Sequence, residues 1–139
     1  MHGSGETAPG AAVGRVRAAT VFVGDLERAR RFYLDVLGFE ERTGLPGVHG
    51  AEVAPPGAAT SLVLVQPTLS DLGIERASIA RQRIGEPTGL VLETADLDAT
   101  RHRLRALGVE TGDASLPGPA AMLHDPDGNE LLLVETPRS

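Results

Sequence analysis

The chain contains an internal repeat, and this feature constrains its fold more than any other in the sequence. Residues 16–38, VRAATVFVGDLERARRFYLDVLG, and residues 87–108, PTGLVLETADLDATRHRLRALG, share one pattern. In each copy a short apolar run leads to Asp-Leu, an acidic residue and an Arg, and an apolar-periodic stretch then ends in Leu-Gly. Asp25 and Asp96 occupy the equivalent position, 71 residues apart. Such a repeat indicates two similar units that share one core.

Each copy predicts a strand followed by a helix with one buried face. In the first copy the helix begins after Asp25 and ends at Gly38. Asp accepts hydrogen bonds from the free amides of a first turn, and Gly adopts the left-handed conformation that a helix end favours. The second copy repeats this arrangement between Asp96 and Gly108. The preceding strands are predicted at 16–23 and 88–95.

Short strands separated by turns follow each helix. Gly and Pro clusters mark the turns at Leu45-Pro46-Gly47, Pro55-Pro56-Gly57, Leu116-Pro117-Gly118 and Asp125-Pro126-Asp127-Gly128. The predicted strands are 39–43, 48–54 and 60–66 in the first half, and 109–112, 119–124 and 130–135 in the second. Each half is therefore β-α-β-β-β, which makes the chain an α+β protein. The expected organisation is a flexible tail (1–14), a first module (15–66), a connector that is partly helical around Ile74–Ile84 (67–86) and a second module (87–136), together one domain.

The composition excludes several kinds of chemistry. The chain has no Cys, and all 13 basic residues are Arg, so thiolate nucleophiles, disulfides and lysine Schiff bases are absent. A net charge of −6 and a total of three Phe, one Tyr and no Trp argue against nucleic acid as a partner. No stretch predicts a membrane span or an export signal, so we expect a cytoplasmic protein. The expected partner is a small organic molecule or a second copy of the chain.

Two motifs, together with the β-α-β-β-β pattern, resemble the vicinal oxygen chelate superfamily, which includes glyoxalase I, extradiol dioxygenases and bleomycin-resistance proteins. The motifs are D-L-E-x-A-x-x-F-Y-x-x-x-L-G-F at residues 25–39 and D-P-D-G-N at residues 125–129. The resemblance covers about residues 15–136. It implies that the two modules form a half-open barrel, and that the protein is a homodimer whose modules complete each other's barrels. Pairing within one chain and exchange between chains both remain open.

The resemblance also implies four positions for metal ligands, and none of them carries a coordinating side chain. In the metal-dependent members, His, Gln or Glu from the first and last strand of each module converge on a divalent ion. The corresponding residues here are Ala18, Val63, Gly89 and Leu132. Because these side chains have no lone pair to donate, we expect no metal centre and no other cofactor. A replacement site would need His49 and His124, for which no third carboxylate at a fixed spacing is evident, while His2 and His102 are expected at the surface.

Strand alternation predicts a largely apolar pocket. Its expected lining residues are Thr20, Phe22, His49, Val63, Val91, Glu93 and Leu132. Glu93 is the one acid that the alternation places among apolar residues, so it is the candidate general base or acid. Its structural alternatives are an ion pair with an Arg of the connector, such as Arg81 or Arg83, and an outward position at the barrel rim. The facing of Glu52, a second acid, stays open.

Three other features of the sequence can be interpreted either as structural or as functional. The hydroxyl of Tyr33 is expected to support packing, and Asp125–Asn129 is expected to form a tight turn before the last strand. The connector's Arg76, Arg81 and Arg83 either close over an anionic ligand or form an exposed charged helix face.

Three functions are compatible with this pattern. The first is metal-independent binding of a small, largely apolar organic molecule, by resistance-type sequestration or metabolite binding. The second is a metal-free isomerase, cyclase or lyase that uses Glu93 as general base. The third, a metal-dependent glyoxalase or dioxygenase, is disfavoured by the four non-coordinating positions. The scarcity of aromatic residues disfavours bleomycin itself as the ligand.

Overall fold

The computed structural model describes residues 10–43 and 49–137, which form two successive modules. The first module contains β1 (Ala18–Phe22), α1 (Leu26–Arg31), β2 (Glu40–Arg42), β3 (Gly50–Ala54) and β4 (Ser61–Val65). The connecting helix is α2 (Leu69–Gln82). The second module contains β5 (Pro87–Thr94), α3 (Leu97–Ala106), β6 (Gly112–Asp113), β7 (Ala120–His124) and β8 (Glu130–Glu135). The predicted βαβββ pattern is confirmed in both halves.

The two sheets have the same topology. Their strand orders are β1-β4-β3-β2 and β5-β8-β7-β6. In each sheet the first and last strands of the module pair in parallel, and the remaining pairs are antiparallel. Each sheet is an open, four-stranded sheet rather than a closed barrel. The matching order confirms that the sequence repeat encodes a repeat of structure.

Both module helices begin with the same two contacts. The carboxylates of Asp25 and Asp96 each accept a hydrogen bond from the backbone N–H three residues further along, as the repeat predicts. At the end of β4, the Gln66 side chain accepts a hydrogen bond from the first amide of α1 at 2.9 Å. Glu135, at the end of β8, makes the same 2.9 Å contact with the first amide of α3. Each helix start is thereby tied to the last strand of its own module.

The structure differs from the sequence prediction in several local details. A π-helical segment, Phe32–Val36, continues α1, so the first helix widens before it ends near Gly38. The connector is helical over Leu69–Gln82, so its helix begins earlier than expected, and Gly73 interrupts it with φ 80°. The strand expected at 109–112 is only the two-residue β6. The predicted turn at Leu45-Pro46-Gly47 and residues 1–9 of the predicted tail lie outside the described residues.

One hydrophobic core lies on the helix-facing side of both sheets. It takes residues from the first module (Val21, Val23, Ala29, Phe32, Tyr33, Val53, Leu62 and Leu64) and from the second (Leu97, Leu104, Ala121, Leu123, Leu131 and Leu133). The opposite, inner face of the second sheet is open to solvent, where Val91 is 54% exposed. Within residues 10–43 and 49–137, no helix has both the length and the apolarity needed to cross a membrane.

Candidate functional site

The inner face of the first sheet carries a row of three side chains across neighbouring strands. Thr20 on β1 is paired with Val63 on β4, which is paired with Glu52 on β3. Phe22 lies two residues further along β1, on the same face as Thr20. Thr20 is exposed, and Val63 and Phe22 are half-buried. The alternation predicted for β1 and β4 therefore places Thr20, Phe22 and Val63 together.

Glu52 is buried at one end of this face, with only 6% of its surface exposed. The Ser61 hydroxyl donates a 2.5 Å hydrogen bond to the Glu52 carboxylate. The Arg17 guanidinium donates to both carboxylate oxygens at 3.2 Å. The hydrogen bond from Ser61, followed by the contacts with Arg17 and the positive charge of Arg42, lowers the pKa of Glu52 against the opposing effect of burial. Glu52, whose facing the sequence left open, thus forms a charged, fully partnered end of the inner face.

The inner face of the second sheet carries a mainly apolar row. Val91 on β5 is paired with Leu132 on β8, which is paired with Met122 on β7. Glu93 lies two residues beyond Val91 and is paired with Val134. The expectation that Glu93 is enclosed among apolar side chains is wrong, because Glu93 is exposed. The reason is that no segment within residues 10–43 and 49–137 covers Glu93 on this face. Its role as a general base stays a prediction.

The two inner faces contribute to different cavities. Thr20 and Phe22 line one of about 160 Å³, and Phe22 also lines one of about 270 Å³ against α2. Glu93 lines two others, of about 430 and 480 Å³. None of these four cavities joins Thr20 or Phe22 to Val91, Glu93 or Leu132. Among the described residues of one chain, six of the seven predicted lining residues therefore lie in two separate groups, and His49 belongs to neither.

The two candidate His ligands lie apart. His49 precedes β3, is exposed, and donates its backbone N–H to the Asp71 carboxylate at 2.9 Å. His124 is an exposed residue at the end of β7 in the other sheet, 3.9 Å from the Glu130 carboxylate. Within the described ranges, no three His, Asp or Glu side chains come together as a metal-binding group.

The four positions implied for metal ligands lie on the first and last strands of the modules. Ala18 and Val63 are on β1 and β4, and Gly89 and Leu132 are on β5 and β8. Methyl, isopropyl and isobutyl groups, and a glycine without a side chain, offer no donor atom to a divalent ion. The donor set at these positions does not fit the metal of the superfamily that the motifs resemble.

The Asp125–Asn129 segment forms a tight turn, as predicted. One oxygen of the Asp125 carboxylate accepts hydrogen bonds from the backbone N–H groups of Asp127 at 2.9 Å and Asn129 at 3.0 Å. Gly128 has φ 83°, a conformation that strongly favours glycine. Backbone geometry thus accounts for Asp125 and Gly128 in this motif.

The same turn also joins the two modules, which the sequence did not indicate. The Tyr33 hydroxyl donates to Asp125 at 3.0 Å, and Arg28 forms a 2.8 Å ion pair with Asp127. The Asn129 amide donates to the Phe22 carbonyl at 3.0 Å. Burial and the neighbouring Asp125 charge raise the pKa of Tyr33, so its hydroxyl stays protonated and able to donate. Neither copy of the repeat, taken alone, contains a sequence pattern that predicts these contacts between the modules.

A comparison with models of protein families shows to which family the chain belongs. A family model described as the Glyoxalase/Bleomycin resistance protein/Dioxygenase superfamily matches residues 15–133. The chain belongs to this superfamily. The match spans both modules and includes the two motifs from which the resemblance was drawn. A comparison with curated protein sequences gives no significant match.

Solved structures of superfamily members cover most of the chain. TnmS3, described as an antibiotic binding protein from Streptomyces sp. CB03234, is 35% identical, with a TM-score of 0.70 over 91% of this chain and 99% of that one. A superfamily member from Sphaerobacter thermophilus is 33% identical, with a TM-score of 0.72 over 89% and 98%. A lactoylglutathione lyase from Agrobacterium tumefaciens, at 22% identity and a TM-score of 0.66 over 88% and 94%, shares the fold.

Proposed function

We propose that this superfamily member binds a small, largely apolar organic molecule without a metal and sequesters it. The observation that carries the proposal is that four positions on the two sheets have no side chain able to coordinate a metal ion. The resemblance to metal-dependent members implies Ala18, Val63, Gly89 and Leu132 as the positions of the metal ligands. With these residues the inner faces offer apolar contact surface, which favours an organic ligand over a hydrated cation.

We propose an antibiotic as the class of ligand. This rests on TnmS3, which is described as an antibiotic binding protein and is 35% identical over nearly its whole length. Thr20, Phe22 and Val63 would contact the ligand on the first sheet, and Val91 and Leu132 on the second. The cytoplasmic location expected from the sequence stays a prediction.

We further propose that a second copy of the chain completes the site. Val91, on the edge strand β5, is 54% exposed on an inner face that the described residues of its own chain leave open. The first sheet's inner face is partly open as well, since Thr20 is exposed. If the first sheet of one protomer faces the second sheet of its partner, the two groups of predicted lining residues meet in one cavity. Such an arrangement would make the protein a homodimer with two equivalent sites.

The test is native mass spectrometry and calorimetry of the purified protein against an antibiotic library. We expect at least one antibiotic to bind and to be recovered chemically unchanged. Val63→Arg, which places a charge on the inner face, should abolish binding, whereas Leu107→Arg, on the exposed end of α3, should not. Absence of any bound antibiotic, or a stoichiometric metal in the purified protein, would contradict the proposal.

Conversion of the ligand to a product would overturn sequestration. In that case Glu93→Gln distinguishes the remaining alternatives. Loss of turnover with affinity retained would assign a metal-free isomerase, cyclase or lyase with Glu93 as base. Turnover that survives the substitution would exclude Glu93 from that role.

A further inference from the structure

One face of the connecting helix carries two arginines around an apolar centre. This α2 face consists of Arg76, Ile79, Ala80 and Arg83, whose spacing of three, four and seven residues brings them to one side of the helix. Together with Phe22 and Leu72, these residues line a cavity of about 270 Å³. Phe22 also lies on the inner face of the first sheet, so this cavity borders the site proposed above. The α2 face therefore forms one wall of a cavity next to that site.

The apolar centre of this wall is uncovered. Ile79 is 57% exposed, although its neighbour Ala80 is buried. Phe22, one of only three Phe residues in the chain, is half-buried across the cavity. An exposed aliphatic side chain opposite an aromatic ring is a contact surface for an apolar ring system.

The two arginines carry charges that the described part of the chain does not balance. No carboxylate among those residues lies within ion-pair distance of Arg76 or Arg83. Arg83 follows the last turn of α2, where a cation is favourable to the helix dipole. Arg76 lies in the middle of the helix and has no such explanation. Glu86 lines the adjacent cavity with Arg83 but forms no ion pair with it.

We infer that the α2 face binds the anionic group, a carboxylate or sulfonate, of an amphipathic organic ligand whose apolar part lies between Phe22 and Ile79. Guanidinium groups recognise such anions through paired N–H donors. Arg76 and Arg83 are two turns apart, about 10 Å along the helix axis, so their long side chains can both reach an anion over the cavity. This inference rests on the proposed function, because it names the class of molecule that the same site takes.

The experiment compares two fluorescent probes that share one aromatic scaffold. These are 8-anilinonaphthalene-1-sulfonate, which carries the anion, and N-phenyl-1-naphthylamine, which does not. We expect Arg76→Gln and Arg83→Gln each to weaken binding of the sulfonate about tenfold, since a hydrogen bond to a charged group is lost. Both variants should leave binding of the neutral probe within about twofold of the wild type. The matched control, Arg105→Gln on the exposed side of α3, should change neither affinity.

The Ile79→Asp variant tests whether both probes bind at the α2 face. It should weaken binding of both, because it removes the apolar centre of the α2 face and adds a negative charge. If it changes neither affinity, the probes bind elsewhere and the inference is wrong. If both probes bind but the two Arg variants affect them equally or not at all, the anion preference is wrong while the proposed function stands. If the wild type binds neither probe, apolar ligand binding at this site fails together with the inference.

Discussion

The Tyr33 hydroxyl donates a 3.0 Å hydrogen bond to the Asp125 carboxylate, and this contact joins the helical segment of the first module to a turn of the second. Oδ2 of Asp125, which accepts this hydrogen bond, also accepts a 2.9 Å hydrogen bond from the side-chain amide of Asn129. Tyr33 is fully buried and Asp125 nearly so. The two modules are therefore held together by a polar contact inside the core as well as by apolar packing.

Removal of the Tyr33 hydroxyl should destabilise the protein. In Tyr33→Phe, Asp125 loses one donor while the ring packing is kept, so we expect the free energy of unfolding to fall by about 2 kcal/mol. Urea denaturation followed by circular dichroism measures this change. Glu27→Gln, at an exposed ion pair, should change the same quantity by less than about 0.5 kcal/mol. A Tyr33→Phe variant as stable as the wild type would show that the contact contributes nothing.

Tyr33 also makes the stability of the protein depend on pH in the alkaline range. The pKa of Tyr33 is raised above its ordinary value of 10.0, first by burial and then by the charge of Asp125. Its contribution to stability is therefore complete below pH 10 and is lost as the pH rises, by about 1.4 kcal/mol per pH unit. Because Tyr33 is the only Tyr and the chain has no Trp, absorbance at 295 nm reports this group alone. Tyrosinate that forms at the same pH in native and guanidine-unfolded protein would contradict the raised pKa.

Gly24 is required by close approach to the second module. A Cβ built at Gly24 would lie 2.9 Å from Oδ1 of Asp127, the oxygen that pairs with Arg28. Asp127 is held by this ion pair and by the surrounding turn, so Gly24→Ala should cost about 1–3 kcal/mol of unfolding free energy. The cost should shrink in an Asp127→Ala background, where the clash is absent. Equal costs in both backgrounds, measured by a double-mutant cycle, would assign the effect to the backbone instead.

Glu52 should make the protein sensitive to acid. Its pKa is lowered from the usual 4.5, chiefly by the Ser61 hydrogen bond and then by Arg17. The stabilisation is thus present above pH 4.5 and is lost as the pH falls through the pKa of the folded state. Glu52→Gln should lower the urea midpoint at pH 7, with the difference from the wild type narrowing below pH 4.5. Glu40→Gln, at an exposed position, is the control and should show no such convergence.

Val91 tests the proposed dimer. Because it is 54% exposed in the single chain, Val91→Arg should leave the thermal midpoint of a monomer almost unchanged. Against a second copy it would bury an unpaired charge, so light scattering coupled to size-exclusion chromatography should show a monomer. Leu107→Arg, outside the inner faces, should keep the wild-type mass. A dimeric Val91→Arg protein would place the interface elsewhere.

The starts of the two module helices and the repeat could be predicted from the sequence because short-range interactions determine them. Asp25 and Asp96 cap helices through amides three residues away, and Gly108 ends one through its own positive φ. Strand alternation also depends only on neighbours, so Thr20 and Val63 are placed correctly on one face. Two local features were not predicted: the π-helical segment after Arg31 and the start of α2 at Leu69.

The environment of each acid was decided only by the tertiary structure. Alternation places Glu93 on an inner face, but its exposure depends on whether another segment covers that face. Glu52 lies on the equivalent side of the other sheet and is buried, where it meets Ser61 of the neighbouring strand and Arg17, which is 35 residues away in the chain. The sequence by itself thus determined the two modules and showed that the four positions implied for metal ligands carry no coordinating side chain. The tertiary structure decided which charges are paired and which faces remain open, because burial depends on the whole arrangement of the chain.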